Sequence, residues 1–297
     1  VTRVGVIGLG NMGSIMASRL LSAGFQVWVN NRTPARAERL LKAGAHWAES
    51  GDAIADQVEL LISMVSDDDA VLAITSGAGG ILTRPHPDLV YADMSTVSPD
   101  ASEIVASAAE SSAVPYLRAP VSGSTTVAEA GALGILASGP QEALDAFDPV
   151  FTVIGKRVFY LGQGDEARIM KLALNMLVAQ TVLGLSEALV LGERAGLDWQ
   201  AMLDVFSESA VASPLVQYKA SSLSKYDFEA AFTTAMMTKD LDVALEVGRR
   251  TGAVMPTTAL SQELLRAACG LGWGDQDFSA AVLMFERLAG DHLGNDH

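Results

Sequence analysis

Near its start the chain has an apolar run, Val4-Gly5-Val6-Ile7, that ends in Gly8-x-Gly10-x-x-Gly13 and passes straight into an amphipathic stretch over 12–23. A strand that turns on glycines into a helix is the opening βα unit of a parallel sheet, and the turn brings backbone amides against a pyrophosphate. Gly8, Leu9, Gly10, Asn11, Met12 and Gly13 are therefore candidate dinucleotide contacts. The next strand-like run ends in Asn30, Asn31, Arg32 and Thr33. An NAD-binding fold usually places an Asp or Glu there, on the ribose 2′-hydroxyl. A carboxylate would repel a 2′-phosphate, whereas a guanidinium and a hydroxyl hold one. Asn31, Arg32 and Thr33 thus predict a preference for NADP, with NAD possible. The alternative for Arg32 is a solvated surface arginine.

Strand patterns recur at 3–7, 26–30, 60–64, 89–93, 116–119, 133–138 and 157–160, with helical patterns at 12–23, 34–43, 68–74, 98–111 and 141–150. That alternation predicts βαβ units. From 165 onward the signals are helical only: 165–195, 199–209, 233–251, 256–271 and 278–288, punctuated by Gly196, Gly252 and Gly272 as expected C-caps. The expected fold is an α/β N-terminal Rossmann domain over 1–162, with a mostly parallel, doubly wound sheet, followed by an all-α C-terminal domain over 163–297. The 165–195 helix is apolar on nearly every face. It must be clasped by other helices, of its own chain or of a second subunit. A frayed tail is expected over 290–297.

A length of 297 residues accommodates two cores, and 49% hydrophobic residues exclude a disordered chain. The formal charge of −15 opposes non-specific binding to nucleic acid or anionic membrane, so an anionic ligand must be met by a few local basic groups. Cys269, the one cysteine, forms no intrachain disulfide and no cysteine metal cluster, and is expected in the core. No metal site is expected. The run at 172–191 is apolar enough to suggest a membrane span, but Asn175, Gln180, Ser186 and Glu187 interrupt it, which favours a buried helix. No signal peptide is visible, and a cytoplasmic location is expected.

Two further loops follow apolar strands: Met64-Val65-Ser66-Asp67 and Asp93-Met94-Ser95-Thr96. Loops at the carboxyl ends of doubly wound strands line the ligand groove, so Met64, Val65, Ser66, Ser95 and Thr96 are candidate cofactor contacts. Ser66, Asp67 and Ser98 serve equally well as helix N-caps. In Pro120-Val121-Ser122-Gly123-Ser124, the hydroxyls and the amides near Gly123 can hold a substrate carboxylate, or merely form a turn. Lys171 and Asn175 lie four apart on an otherwise apolar helix and project from one face. An ammonium there needs a purpose, and proton donation to a carbonyl that receives hydride supplies one. The bland alternative is a lysine snorkelling from a helix end. Lys239, with Phe232 before it, suits a cofactor or substrate anion, or an ion pair with a neighbour. His46, His86, His292 and His297 lie in no catalytic setting.

With these motifs the chain resembles the β-hydroxyacid dehydrogenase family, which includes 3-hydroxyisobutyrate dehydrogenases, tartronate semialdehyde reductases and glyoxylate/succinic semialdehyde reductases. The resemblance rests on G-L-G-N-M-G, D-M-S-T-V-S-P, P-V-S-G-S, G-Q-G-x-x-x-R-x-M-K-L-x-x-N, K-D-L and G-D-Q-D-F-S, and covers nearly the whole chain. It implies that Lys171 is the catalytic lysine, with Asn175, Ser122 and Gly123 on the substrate, and Ser124 beside them is a further candidate substrate contact. It also implies that Thr96 and Lys239 lie near the nicotinamide, with Phe232 a candidate cofactor contact, and that the helical domain forms a homodimer or homotetramer. N-N-R-T, Ser124 and K-L-A-L-N-M look most like the glyoxylate/succinic semialdehyde reductase branch, which generally prefers NADPH. Arg118, Ser124 in place of a second glycine, and Leu174 depart from the hydroxyisobutyrate pattern. The activity implied is hydride transfer between NADP(H) and a small aldehyde or keto acid, or the corresponding hydroxyacid. The alternatives are an imine reductase of the same architecture and a non-catalytic dinucleotide-binding module. A 6-phosphogluconate dehydrogenase, also a relative, has a larger helical domain.

Overall fold

A computed structural model of the chain describes residues 2–290. Beyond Gly290, the tail expected to fray, with His292 and His297, lies outside the described residues. Packing divides the chain into two compact units, Val1–Lys171 and Leu172–His297.

The first unit holds a nine-stranded sheet. Its strands are β1 (Arg3–Ile7), β2 (Gln26–Asn30), β3 (His46–Trp47), β4 (Leu60–Ser63), β5 (Val90–Asp93), β6 (Tyr116–Arg118), β7 (Val121–Ser122), β8 (Leu133–Ser138) and β9 (Gly155–Gly162). They run in the order β3-β2-β1-β4-β5-β6-β8-β7, and β9 also pairs with β8. The first six are parallel, which is the doubly wound order with its switch point beside β1. Alternation along the strands feeds two cores. Val4, Val6, Leu60 and Ile62 pack on one face, and Ile7, Leu61 and Tyr91 on the other.

Register decides what the sheet can present. Asn30 pairs with Ile7, Ile7 with Ser63, Ser63 with Asp93, and Asp93 with Arg118. Five carboxyl ends therefore finish level, and the loops that leave them emerge along one edge.

The second unit is helical, and the Glu166–Arg194 helix runs into it from the first. Ala179, Val182 and Leu183 pack with Met237, Leu241, Leu265 and Phe278. Leu185, Leu189 and Val190 pack with Trp199, Met202, Leu203 and Met284. This helix is long and apolar enough to cross a membrane by length and composition, and 44% of its apolar window is buried within the chain.

Several elements differ from the sequence expectation. The 34–43 stretch divides into a 3-10 turn, Pro34–Ala37, and a short helix, Glu38–Lys42. The 141–150 stretch divides into Gln141–Ala146 and Asp148–Ile154, with Pro149 opening the second. The helix from Pro256 ends at Ala268, where Cys269–Trp273 widens into a π turn. Cys269 is half-buried there, not in the core. The Pro214–Ser224 helix was not expected at all. Its buried stripe is Val216, Lys219 and Leu223, and a lysine in that stripe hides the apolar period.

Lys219 explains itself by its partner. Its Nζ lies 2.6 Å from Asp277 Oδ1, with both side chains under 5% exposed, and 4.3 Å over the Phe278 ring. Burial pushes the lysine pKa down and Asp277 opposes that. Asp277 also accepts from the Ser279 amide and hydroxyl. Asp277→Ala strands a buried ammonium and is expected to cost about 3–5 kcal/mol in urea unfolding, whereas the paired replacement Lys219→Met with Asp277→Leu costs far less.

Candidate functional site

The turn after β1 is built so that only glycine fits at its two ends. Gly8 has φ +93°, and a Cβ there would lie 2.2 Å from the Met64 carbonyl oxygen. A Cβ on Gly13 would lie 2.0 Å from the Gly8 carbonyl oxygen. A Cβ on Gly10, by contrast, meets nothing within 4 Å, so no packing demand within the chain explains this glycine. Gly10 caps the Asn11–Ser22 helix without any side-chain hydrogen bond. The first amides of that helix are left for an anion, as a dinucleotide pyrophosphate requires. Leu9 is buried, Met12 half-buried and Asn11 exposed.

Asn31 braces this turn. Its Oδ1 accepts from the Leu9 amide at 2.9 Å and its Nδ2 donates to the Thr33 carbonyl at 3.0 Å. Asn30 donates to the Ala48 carbonyl. Arg32 and Thr33 are exposed, and Arg32 makes no ion pair among the described residues. The two asparagines therefore hold the loop, and Arg32 and Thr33 are the groups presented.

The loops after β4 and β5 are locked to each other. Ser63 Oγ donates to Asp93 Oδ1 at 2.6 Å and lies 2.7 Å from Tyr91 Oη. The Ser95 amide donates to the same Asp93 oxygen at 3.1 Å, and Ser95 Oγ accepts from the Val65 amide at 2.9 Å. Arg168 closes the network from the Glu166–Arg194 helix, with hydrogen bonds to the Ser95 carbonyl, Asp93 and Tyr116 Oη. Desolvation alone would lower the Arg168 pKa, but Tyr116 and Asp93 outweigh it and hold the guanidinium above its ordinary value. Burial keeps the Tyr91 phenol protonated. Asp67 and Ser98 cap the helices that follow them, and Ser66 donates to Asp67. Met64 and Thr96 are half-buried.

At the end of β6, Arg118 turns back into the first unit. Its Nε pairs with Asp165 at 2.8 Å, and its guanidinium lies 4.7 Å over the Tyr116 ring. Ser122 is half-buried in β7, and Gly123 is exposed with φ +140°. Ser124 Oγ caps the Thr125–Glu129 helix by accepting from Val127 N.

Lys171, half-buried, stands one turn before Asn175 on the same helix. Asn175 is buried, and its Nδ2 donates to Asp240 Oδ2 at 2.5 Å. Lys239 Nζ lies 3.1 Å from Asp240 Oδ1. Asn175, Lys239 and Asp240 thus form one polar cluster within the helical unit, around a carboxylate that is 1% exposed. The Phe232 ring meets Phe278 edge-on at 6.3 Å, and its carbonyl accepts from Phe278 N.

Comparison with known proteins accords with this arrangement. Residues 3–162 match the NAD-binding domain of 6-phosphogluconate dehydrogenase, and residues 163–285 match the family model described as NAD-binding of NADP-dependent 3-hydroxyisobutyrate dehydrogenase. The chain is 37% identical to glyoxylate/succinic semialdehyde reductase 1 of Arabidopsis thaliana, over 94% of this chain and 96% of that protein. It belongs to the 3-hydroxyisobutyrate dehydrogenase-like β-hydroxyacid dehydrogenase family. Its fold is similar to that of the Mycobacterium tuberculosis 3-hydroxyisobutyrate dehydrogenase solved with L-serine, at a TM-score of 0.84, 27% identity, and coverage of 96% of this chain and 99% of that one. An imine reductase from Pseudomonas sp., at a TM-score of 0.65, 23% identity, and coverage of 96% and 99%, shares the fold alone. Like its family, the chain is an NAD(P)-binding oxidoreductase of the hydroxyacid dehydrogenase kind.

Two residues of this β-hydroxyacid dehydrogenase escaped the sequence reasoning. Asp240 was read only as a neighbour of Lys239. Arg168 stood inside the lysine motif without a role, although the argument against an unpaired charge on an apolar helix applies to it as much as to Lys171. For the glycine turn, Gly10→Ala is expected to change stability by less than about 0.5 kcal/mol while weakening NADPH binding in a fluorescence titration. Gly13→Ala, which collides with the chain itself, is expected to lower both.

Proposed function

We propose that this β-hydroxyacid dehydrogenase is an NADP(H)-preferring reductase of small aldehyde or keto acids, acting in reverse on 3- or 4-hydroxyacids. The observation that carries it is Lys171, placed on the helix whose first turn is bonded through Arg168 to the end of β5, the Ser95 carbonyl and the first residue of β6. When bound, the dinucleotide supplies or accepts the hydride. The turn from Gly8 to Gly13 holds its pyrophosphate through the amides at the start of the Asn11–Ser22 helix. The Met64–Ser66 and Ser95–Thr96 loops line its groove, Phe232 and Lys239 contact it, and Arg32 with Thr33 meets the 2′-phosphate.

In the reductive direction Lys171 gives its proton to the carbonyl oxygen, which would otherwise carry the developing negative charge. In the oxidative direction its neutral amine takes the proton back. Asn175 orients the reacting oxygen, and its tie to Asp240 fixes which amide atom it presents. Ser122, Gly123 and Ser124 hold the substrate carboxylate, Ser124 through its hydroxyl hydrogen, since its oxygen already caps a helix. Lys171 together with P-V-S-G-S favours this reading over imine reduction, because resemblance assigns both to the hydroxyacid enzymes. The likeness to a semialdehyde reductase supports the substrate class.

The helical unit is also the surface we assign to self-association. Leu177 and Leu191 are 63% and 73% exposed on the Glu166–Arg194 helix, with Gly184 midway and open. Positions seven apart share a face, so a second copy covers this stripe. Leu191→Glu is expected to lower the mass measured by light scattering, and an unchanged mass would place the interface elsewhere.

Lys171→Ala is expected to reduce kcat by about 10²–10⁴-fold with glyoxylate or succinic semialdehyde, while NADPH still binds. Near-normal turnover would sink the lysine mechanism. Arg32→Asp is expected to weaken NADPH by about 100-fold and to leave NADH nearly unchanged. Equal effects on the two cofactors would make Arg32 a surface residue only.

A further inference from the structure

Arg168 has no part in the chemistry proposed above, yet it is 1% exposed on a largely apolar helix, three residues before Lys171. An apolar side chain would fill that volume without bringing a charge out of water. The guanidinium instead reaches three acceptors. Nη1 donates to the Ser95 carbonyl at 2.6 Å, and Nη2 to Asp93 Oδ2 at 2.5 Å and to Tyr116 Oη at 2.8 Å. Asp93 and Ser95 are bonded in turn to Ser63 and Val65. One side chain thus joins the carboxyl end of β5, through Asp93 that of β4, and the first residue of β6 to the first turn of the helix. One of its bonds ends on the backbone of Ser95, inside a loop assigned to the cofactor.

We infer that Arg168 is a positioning residue for Lys171. It fixes the axial height and rotation of the helix against the Ser95–Thr96 loop, and so fixes where the lysine ammonium can deliver its proton. This rests on the reading of Lys171 as the proton donor. A helix advances about 1.5 Å and turns about 100° per residue, so pinning position 168 determines the direction of position 171. A misplacement of about 1 Å near the chemistry costs on the order of 100-fold in rate. Only a planar fork satisfies a carbonyl, a carboxylate and a phenol together. A lysine in its place keeps the charge beside Asp93 but not the bridge.

The test is Arg168→Lys in the full-length enzyme, assayed with NADPH and succinic semialdehyde or glyoxylate. The expected result is a fall in kcat of about 100-fold. KM and the NADPH Kd stay within about threefold, because positioning of the lysine enters the chemical step and not ground-state binding. With NADPH deuterated at the transferred hydride, the isotope effect on kcat rises as chemistry becomes limiting. In a Lys171→Ala background the same substitution changes the residual rate by less than about threefold, because its route to the chemistry is gone. If Arg168→Lys does not fold, Tyr116→Phe removes one acceptor and keeps the ion pair, and a drop in kcat of about fivefold at unchanged NADPH Kd is expected. Unchanged kcat in a folded Arg168→Lys or Tyr116→Phe overturns the inference, and so does a loss of kcat matched by equal loss of NADPH binding. Near-normal turnover in Lys171→Ala alone identifies a different failure, that of the lysine as acid.

Discussion

The buried ion pair between Arg168 and Asp93 is the contact on which the first unit's functional edge depends. Neither partner is more than 1% exposed, and removing two charges from water costs several kcal/mol per ion before any attraction is counted. Such a pair persists where most of the remaining lone pairs and N–H groups find partners, and here only the Arg168 Nε–H finds none. Here Asp93 takes Ser63 and Ser95, and Arg168 takes the Ser95 carbonyl and Tyr116. The result ties the carboxyl ends of β4 and β5, the start of β6 and one helix turn into a single polar unit. In a low-dielectric surrounding, a network satisfied to this degree holds one geometry.

That rigidity has a counterpart at β1. The level carboxyl ends bring the glycine turn beside the locked loops of β4 and β5. Asn31, bridging the Leu9 amide and the Thr33 carbonyl, fixes the turn at a second point. Gly8 and Gly13 are demanded by close backbone approach, whereas Gly10 leaves room for something outside the chain. The helical unit repeats the arrangement with other residues. Asp240 is buried and takes both Asn175 and Lys239, while Asp277 takes Lys219 and caps the segment beside Phe232.

Much of this was legible in the sequence because it depends on local order. The glycine spacing, the alternation of strands and helices up to 160, and the loss of strand signals afterwards all follow from neighbours a few residues apart. Lys171 and Asn175 were legible for the same reason, since their common face follows from helical period alone. Short elements such as β3 and β7 were not, because two residues show no period. The Pro214–Ser224 helix was hidden by Lys219 on its buried stripe. Asn31 was read as a candidate ligand contact, and its role as a brace within the loop was not legible. Its partner, Leu9, is 22 residues away.

By itself the sequence determined the order of most of the longer elements, the place of the glycine turn and the candidate proton donor, since each is written in spacing over a few turns. Only the tertiary structure decided which polar residues brace one another. Arg168 with Asp93, and Asn175 with Asp240, are separated by 75 and 65 residues. No periodicity links them. Each pair exists because a charge or amide buried by the fold must find its complement wherever the fold brings one near.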